Sequence, residues 1–294
     1  MDNQQQLKAW LQSQCPTVWS LLNIKAQRTL PSGFVIYLTE GDHKEIAAGK
    51  QWLQTVERHL SDLISLCSYE VVAKTYRRDL SGVHTESQLA ELFCEVSLCA
   101  SLGKLAQSNP RLRPPSGKGT YCDVAVTLAG SDVYCEAKRY ADQLPTVTGP
   151  DARSIVKSPS GQKPQDVMRP RFMDLQSKLA GVPGQFPDGT ANILFVFHPS
   201  VAESVKYVQQ ALFGESTFFV EPAEVRVQVD GLFAADAWRT VSACYLVRSQ
   251  LNTDLVWSAR WQNPQALVPI PDSAHQMLDL AVREGPPACG RPPT

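Results

Sequence analysis

Two carboxylates and one ammonium group lie close together in the sequence, in Cys122-Asp123 and in Glu136-Ala137-Lys138. The segments around them, 121–128 and 132–138, are predicted strands, and a turn at Gly130-Ser131 would join them as a hairpin. That turn would place Asp123 opposite Lys138. Because side chains alternate between the faces of a strand, Asp123, Glu136 and Lys138 would then project from one face. The other face is apolar and predicts contact with a core.

Such a group of side chains has a chemical use. Carboxylate oxygens are the hard ligands that Mg²⁺ prefers, so Asp123 and Glu136 are predicted metal ligands, with the Ala137 carbonyl as a further oxygen. A divalent ion held there can polarise a phosphodiester and activate water, while Lys138 positions that water. The hairpin alone leaves an alternative open, in which its polar face is simply solvated and Asp123 and Lys138 form a surface ion pair.

The elements that would position this hairpin follow from hydrophobic periodicity and capping signals. Thr85 and Gln88 form a capping box at the start of a predicted helix over 84–105. The segment 141–169 has no periodicity and predicts a long irregular loop. The remaining predictions are helices over 5–22, from 42 onward, 170–180, 201–212 and 271–283, and strands over 33–39, 192–197, 241–247 and 255–261.

The order of these elements and motifs resembles the PD-(D/E)xK nuclease superfamily, which has the restriction-endonuclease-like fold. The motifs that carry the resemblance are Glu91 in TESQLAELF, Asp123 in YCDVAV, Glu136 with Lys138 in YCEAKRY, and the helix RPRFMDLQSKLA followed by NILFVF. The resemblance covers residues 85–199. It implies an α/β fold, in which a central mixed β-sheet is flanked by helices and the core carries a helical N-terminal extension.

The resemblance also implies an activity, the hydrolysis of phosphodiester bonds in DNA by an enzyme that uses Mg²⁺ or Mn²⁺. It adds Glu91 as a third acid that acts through metal or water, and Gln176 as an accessory residue of the site. Glu95 lies one turn from Glu91 on the same helix face and is an alternative acid, with Glu86 a third. A nuclease-fold module that binds nucleic acid or a protein partner without turnover is the alternative function.

Basic residues flank the hairpin, and a basic rim around a carboxylate site is what a phosphate backbone requires. Soluble linkers with the same composition are an equally good explanation of these segments. The candidate contacts to a substrate backbone are Arg111, Arg113, Lys118, Arg139, Arg169 and Arg171.

Composition sets the remaining limits. The chain has 294 residues, 43% of them hydrophobic, and a formal net charge of -1, which excludes a uniformly basic nucleic-acid-binding surface.

We expect a helical extension over 1–80 and an α/β domain over 81–294, with a core at 85–199, added strands and a helix at 200–283, and a loose tail at 284–294. No signal peptide or membrane span is predicted, and cysteines without a CxxC pair indicate a reduced, cytoplasmic protein. A homodimer or a protein partner remains open.

Overall fold

The computed structural model describes residues 3–22, 29–39, 43–140, 171–198, 201–214, 217–220, 223–226, 230–248 and 256–280. Within these ranges the helices are α1 (Asn3–Gln14), α2 (Pro16–Leu22), α3 (Ser32–Thr39), α4 (His43–Cys67), α5 (Tyr69–Ser81), α6 (Glu86–Leu105), α7 (Arg171–Leu179), α8 (Val201–Phe213) and α9 (Asp272–Leu280). The strands are β1 (Arg111–Leu112), β2 (Val124–Leu128), β3 (Ser131–Arg139), β4 (Ala191–His198), β5 (Thr217–Val220), β6 (Ala223–Arg226), β7 (Ala243–Arg248) and β8 (Val256–Gln262). The predicted loop over 141–169 and the predicted tail over 284–294 lie outside the described residues.

The strands form a six-stranded mixed sheet in the order β1-β2-β3-β4-β7-β8. The central pairs β3–β4 and β4–β7 are parallel, and the pairs towards both edges are antiparallel. Among the described residues, β5 and β6 form a separate two-stranded sheet. The prediction of an α/β fold built on a mixed sheet with flanking helices is therefore confirmed, and the predicted added strands after residue 200 do join that sheet as β7 and β8.

The central strand β4 shows how helices cover both faces of the sheet. All of its side chains are buried, as its apolar sequence predicts. Ile193 and Phe195 face the core that the sheet shares with α1–α6 and α9, whereas Leu194 and Val196 face the core that it shares with α7 and α8. The helical N-terminal region therefore packs directly on one face of the sheet and shares its core.

The hairpin that carries the candidate site turns one residue earlier than predicted. Ala129 and Gly130 both have positive φ, 49° and 79°, as the two central residues of a tight hairpin turn of this hand require. Ala125 consequently pairs with Tyr134, where the sequence predicted Glu136. This register differs from the predicted one by two residues, and an even shift leaves every side chain on its predicted face.

One predicted strand is wrong, because residues 33–39 belong to helix α3. The β-branched and aromatic sequence GFVIYLT favours a strand, but tertiary burial decides the outcome. Phe34 and Leu38 lie four residues apart, so a helix brings both onto one face, where they are buried. Thr39 then donates its hydroxyl to the Val35 carbonyl one turn back, at 2.6 Å.

The remaining predictions agree with the structure apart from their ends. The predicted helix over 5–22 is divided at Pro16, which is the first residue of α2, where its missing N–H costs nothing. No helix among the described residues is long and apolar enough to cross a membrane. Seven cysteines lie within the described residues, and all of them are free thiols.

The capping box at the start of α6 is confirmed. The Thr85 hydroxyl accepts the Gln88 N–H at 3.2 Å, and the Gln88 side chain accepts the N–H groups of Thr85 and His84. This box fixes the first turn of the helix that carries Glu91 and Glu95.

We predict that Thr85→Ala lowers the free energy of unfolding by about 1 kcal/mol, because the N–H of Gln88 loses its acceptor. Urea unfolding followed by circular dichroism measures the change. Thr85→Ser keeps the hydroxyl and is the matched control. Equal stability of the alanine and serine variants would show that the cap contributes nothing.

Candidate active site

The candidate site forms where the ladder between β2 and β3 ends. Backbone pairing stops at Val124 and Cys135, and beyond that point side chains replace backbone partners. The Ala137 N–H donates to Asp123 Oδ2 at 2.7 Å, and the Asp123 N–H donates to Glu136 Oε2 at 3.2 Å. Each carboxylate thus accepts an N–H from the opposite segment, which aligns both acids at the point where the two segments diverge.

Lys138 completes the predicted trio. Its ammonium donates to Glu136 Oε1 at 2.5 Å. The Glu136 side chain is 2% exposed and that of Lys138 is 33% exposed, so the lysine covers a buried acid and reaches solvent. The structure therefore brings Asp123, Glu136 and Lys138 together, as the sequence predicted. The carboxylate that contacts Lys138 is that of Glu136, whereas the sequence placed Asp123 opposite Lys138.

Burial and mutual repulsion make this an electrostatically costly group. Burial holds the pKa of Asp123 well above its ordinary value, and the charges of Glu136 and Glu95 raise it further. The hydrogen bond from the Ala137 N–H and the charge of Lys138 lower this pKa but do not cancel the shift. Burial also raises the pKa of Glu136, although Lys138 opposes the shift. When ionised, these acids are buried and carry more negative charge than Lys138 and Arg113 balance, so a further cation would favour their ionised forms.

Glu95 is the helix acid that interacts with this pair. Its side chain is 14% exposed, and burial raises its pKa against the opposing effect of Arg113. Arg113 donates from Nε at 2.8 Å to Glu95 Oε1 and from Nη2 at 3.0 Å to Glu95 Oε2. Glu91, one turn earlier, is exposed and accepts a hydrogen bond from the Ser87 hydroxyl at 3.4 Å. The structure thus couples Glu95 to the buried acids and leaves Glu91 nearer solvent.

Arg113 holds several parts of the site together. Its guanidinium also pairs with Asp79 of α5 and donates to the Thr75 carbonyl at 3.2 Å, while its backbone N–H donates to the Asp123 carbonyl at 2.9 Å. Burial lowers its pKa, but the carboxylates of Glu95 and Asp79 more than compensate, so the pKa of Arg113 is raised. Arg113 is therefore a fixed structural cation that links α5, α6 and the residue before β2.

A cavity of about 760 Å³ opens beside these residues. Its walls come from α5, from α6 and from the end of β3, and α7 adds Lys178. The acids that line it are Asp79, Glu91, Glu95 and Asp123, and the basic residues are Arg78, Lys138, Arg139 and Lys178.

The prediction for Gln176 differs from the structure. Its side-chain amide donates to the carbonyls of Ala211 at 3.1 Å and of Asp230 at 3.0 Å, so it fastens α7 to α8 and to the following segment. Gln176 does not line the cavity, whereas Lys178 does. Two residues along a helix correspond to a rotation of about 200°, so the two side chains point in nearly opposite directions.

Three residues of the predicted basic rim form ion pairs within the protein. Arg111 pairs with Asp132 at 2.6 Å, Lys118 pairs with Asp188 at 2.7 Å, and Arg113 is held by Glu95 and Asp79. Each of these three cations therefore has a structural partner, and their contact with a phosphate backbone stays a prediction. Arg139 does line the cavity. Arg169 and the side chain of Arg171, which begins α7, lie outside the described residues.

The donor set fits a hard divalent ion in composition. Mg²⁺ is commonly bound through one or two carboxylates and keeps several waters, and Asp123 with Glu136 supplies two carboxylates at one point. Among the residues that the structure describes, no group of three or more His, Cys, Asp or Glu is arranged to hold a metal ion. The predicted three-carboxylate set of Asp123, Glu136 and Glu91 is therefore not assembled as a ready cage.

Sequence reasoning missed Asp79, Arg78 and Lys178. The first two lie in the predicted N-terminal extension, far from the motifs in sequence, and no short-range signal connects them to Asp123. Lys178 follows Gln176 by two residues, so helix phase could have identified it once the buried stripe of Phe172, Leu175 and Leu179 was assigned to the core.

Comparison with known proteins adds no assignment: no family model, no curated protein and no solved structure matches this chain.

We predict that Arg113→Gln lowers the free energy of unfolding by on the order of 3 kcal/mol, because it leaves Glu95 mostly buried without its cation. Arg111→Gln removes a cation from an exposed pair and should cost less than about 1 kcal/mol. Denaturant unfolding of both variants measures the difference. Equal losses would contradict a structural role for Arg113.

The raised pKa values predict a pH dependence in protein without divalent metal. A carboxyl whose pKa is higher in the folded state than in the unfolded state stabilises the fold below its ordinary pKa, and this contribution is lost as pH rises through the folded pKa. The free energy of unfolding should therefore fall as pH rises above about 4, the ordinary pKa of a carboxyl, and through the raised pKa values of Asp123 and Glu136. Asp123→Asn should flatten this slope.

The control for the pH dependence is Asp132→Asn, which removes an exposed acid from the same hairpin and should leave the slope unchanged. Denaturant midpoints across the pH range, with a chelator present, provide the measurement. If Asp123→Asn and the wild type have the same slope, burial does not perturb the Asp123 carboxyl.

Proposed function

We propose that this protein is a metal-dependent nuclease that hydrolyses phosphodiester bonds, with DNA as the substrate. The observation that carries the proposal is the pair of buried carboxylates, Asp123 and Glu136, which accept the backbone N–H groups of Ala137 and Asp123 respectively. They lie beside Lys138, and Asp123 and Lys138 line the cavity. The resemblance of the Asp and ExK motifs to the PD-(D/E)xK superfamily supports it, and so does the sheet that positions them.

The roles follow from charge and position. Asp123 and Glu136 would hold Mg²⁺, or Mn²⁺ in its place, because both offer carboxylate oxygens where negative charge exceeds the local positive charge. When bound, the ion supplies polarisation of the phosphodiester and a bound water of lowered pKa. Glu136 holds the Lys138 ammonium at the mouth of the site, where it orients the attacking water and stabilises charge that develops on the phosphate.

The helix acids take different parts. Glu95 adds negative charge next to Asp123 and is held in place by Arg113, so it raises the affinity of the acid pair for a cation. Glu91 lines the cavity nearer solvent and is suited to hold a water bound to the metal. The proposed compartment is the cytoplasm, where buried free thiols such as Cys122 and Cys135 stay reduced.

A nuclease-fold module without turnover is the second candidate. The observation that favours it is the short contact between Lys138 and Glu136, because a lysine engaged by a buried acid can be a structural counter-ion. Cleavage assays on plasmid DNA, single-stranded DNA and RNA with Mg²⁺ and with Mn²⁺ separate the two candidates. Cleavage that requires the metal supports the enzyme, and binding without cleavage supports the module.

Two substitutions test the roles of the ligand and the lysine. Lys138→Ala should slow cleavage by roughly 10²-fold or more, by analogy with the loss of one electrostatic donor. Mn²⁺ affinity should survive, because both carboxylates remain and a competing cation is gone. Glu136→Ala should lose metal affinity and cleavage together. Cleavage rates and Mn²⁺ titration of both variants provide the measurement, with circular dichroism to check folding.

Lys104→Ala is the matched control, because Lys104 also pairs with a carboxylate, Asp62, at 2.7 Å, but does not line the cavity. It should cleave at the wild-type rate. A Lys138→Ala variant that cleaves as fast as the wild type would show that the assigned site is wrong.

A further inference from the structure

Basic residues line the cavity as well as acids. Three basic residues other than Lys138 line it, and each comes from a different element: Arg78 from α5, Arg139 from the end of β3, and Lys178 from α7. Their common position on one cavity raises the question of what they bind.

Their contacts separate these residues from the other cations near the hairpin. Arg111, Arg113 and Lys118 are each held by carboxylates. Within the described ranges, by contrast, no ion pair with a carboxylate is found for Arg78, Arg139 or Lys178. Arg139 donates to the Ser87 hydroxyl at 3.3 Å, and the Lys178 ammonium lies 5.1 Å from the centre of the Tyr140 ring. Their charges are therefore not neutralised by partners of opposite sign in this part of the chain.

The elements that carry these cations are held rigidly. Asp79, the neighbour of Arg78, is paired with Arg113, and this contact fixes the last turns of α5 against the site. Gln176 fastens α7 to the backbone on its opposite side, so the phase of α7 directs Lys178 to the cavity. Arg139 follows Lys138 directly on β3. The helices and the strand that carry these cations are therefore held in place by contacts of their own, which reduces the conformational entropy lost when the cations bind a ligand.

The arrangement leaves these cations available to an anion. Acids line the same cavity, but within the described ranges none of them forms an ion pair with Arg78, Arg139 or Lys178, so an anion that lies among the three cations gains their attraction. Guanidinium groups bind phosphate oxygens through paired N–H donors, and an ammonium binds them as a point charge. A chain of phosphodiesters offers repeated charges that could contact cations on separate elements, whereas a single small anion would contact fewer of them.

We propose that Arg78, Arg139 and Lys178 bind the phosphate backbone of a DNA strand that enters the cavity between α5 and α7, so the helical N-terminal region forms part of the substrate site. This inference rests on the proposed function, since it identifies the path of that substrate. Arg78 and Lys178 bind phosphates other than the one that lies over Asp123. The N-terminal helices therefore contribute a cation to recognition as well as a wall to the cavity.

Binding measured without cleavage tests this proposal. Fluorescence anisotropy of a labelled oligonucleotide, with a chelator to prevent turnover, gives the affinity and its dependence on salt. Each lost phosphate contact lowers the slope of log affinity against log salt by about 0.7 for a single strand and about 0.9 for a duplex. We expect this loss for Arg78→Gln and for Lys178→Gln, with the same decrease on oligonucleotides of different sequence.

Arg77→Gln is the matched control, because Arg77 is the adjacent arginine on the same helix, is exposed, and contacts the Tyr69 hydroxyl at 3.2 Å outside the cavity. Its affinity and salt slope should equal those of the wild type. Single-stranded DNA, duplex DNA and RNA are compared in parallel, and the tighter binding of one DNA form identifies the form that enters the cavity. Tighter binding of RNA would overturn the assignment to DNA.

The outcomes separate this proposal from the nuclease activity. If the wild type cleaves DNA while Arg78→Gln and Lys178→Gln bind like Arg77→Gln, the path is wrong and the activity stands. If the wild type binds DNA without cleaving it and both substitutions reduce the salt slope, the path stands and the enzyme proposal fails. If no oligonucleotide binds the wild type in the presence of chelator, the path is wrong, and the cleavage assay with metal decides the nuclease proposal separately.

Discussion

The structure of the site depends on one constraint, which is that two carboxylates are buried where a β-ladder ends. Beyond Val124 and Cys135 the strands no longer supply each other with backbone partners, and the acids take that role. Asp123 and Glu136 are therefore part of the backbone hydrogen-bonding scheme, and their positions are as fixed as those of the strands. The same burial that fixes them makes their charges costly, so the neighbouring residues must compensate for that charge.

Compensation reaches the site from two directions. Lys138 covers Glu136 from the same strand, and Arg113 balances Glu95 from the segment before β2. Arg113 has a φ of 45°, a conformation that a non-glycine residue seldom adopts, and its contacts to Asp79, Glu95 and the Asp123 carbonyl hold it there. Two acids, Asp79 and Glu95, share the charge of Arg113, so the excess of negative charge around Asp123 remains. That excess is what a metal ion would bind, and the cations farther out in the cavity remain suited to an anion.

Sequence alone predicted the parts of the site that depend on local periodicity. The hairpin placed Asp123, Glu136 and Lys138 together although its turn was assigned one residue late, because a register error of two residues preserves the face. The features that the sequence could not predict depend on tertiary contacts. The strand assigned to residues 33–39 is a helix because Phe34 and Leu38 meet a core built by other helices. Gln176 followed from a family resemblance, and helix phase directs it away from the cavity.

The shared core of the N-terminal helices and the sheet has a consequence for the synthesis of the chain. Leu89, Phe93 and Val96 of α6 belong to the same buried cluster as Val133 and Cys135 of β3. On the ribosome the helices emerge first, and the side of α6 that covers the sheet stays uncovered until β3 has been translated. Such exposed apolar surface is what chaperones bind and what drives aggregation of nascent chains. Glu136 of β3 can therefore meet Glu95 only after helices α1–α6 have left the ribosome, and the acidic centre cannot assemble until the segment that carries β3 follows them.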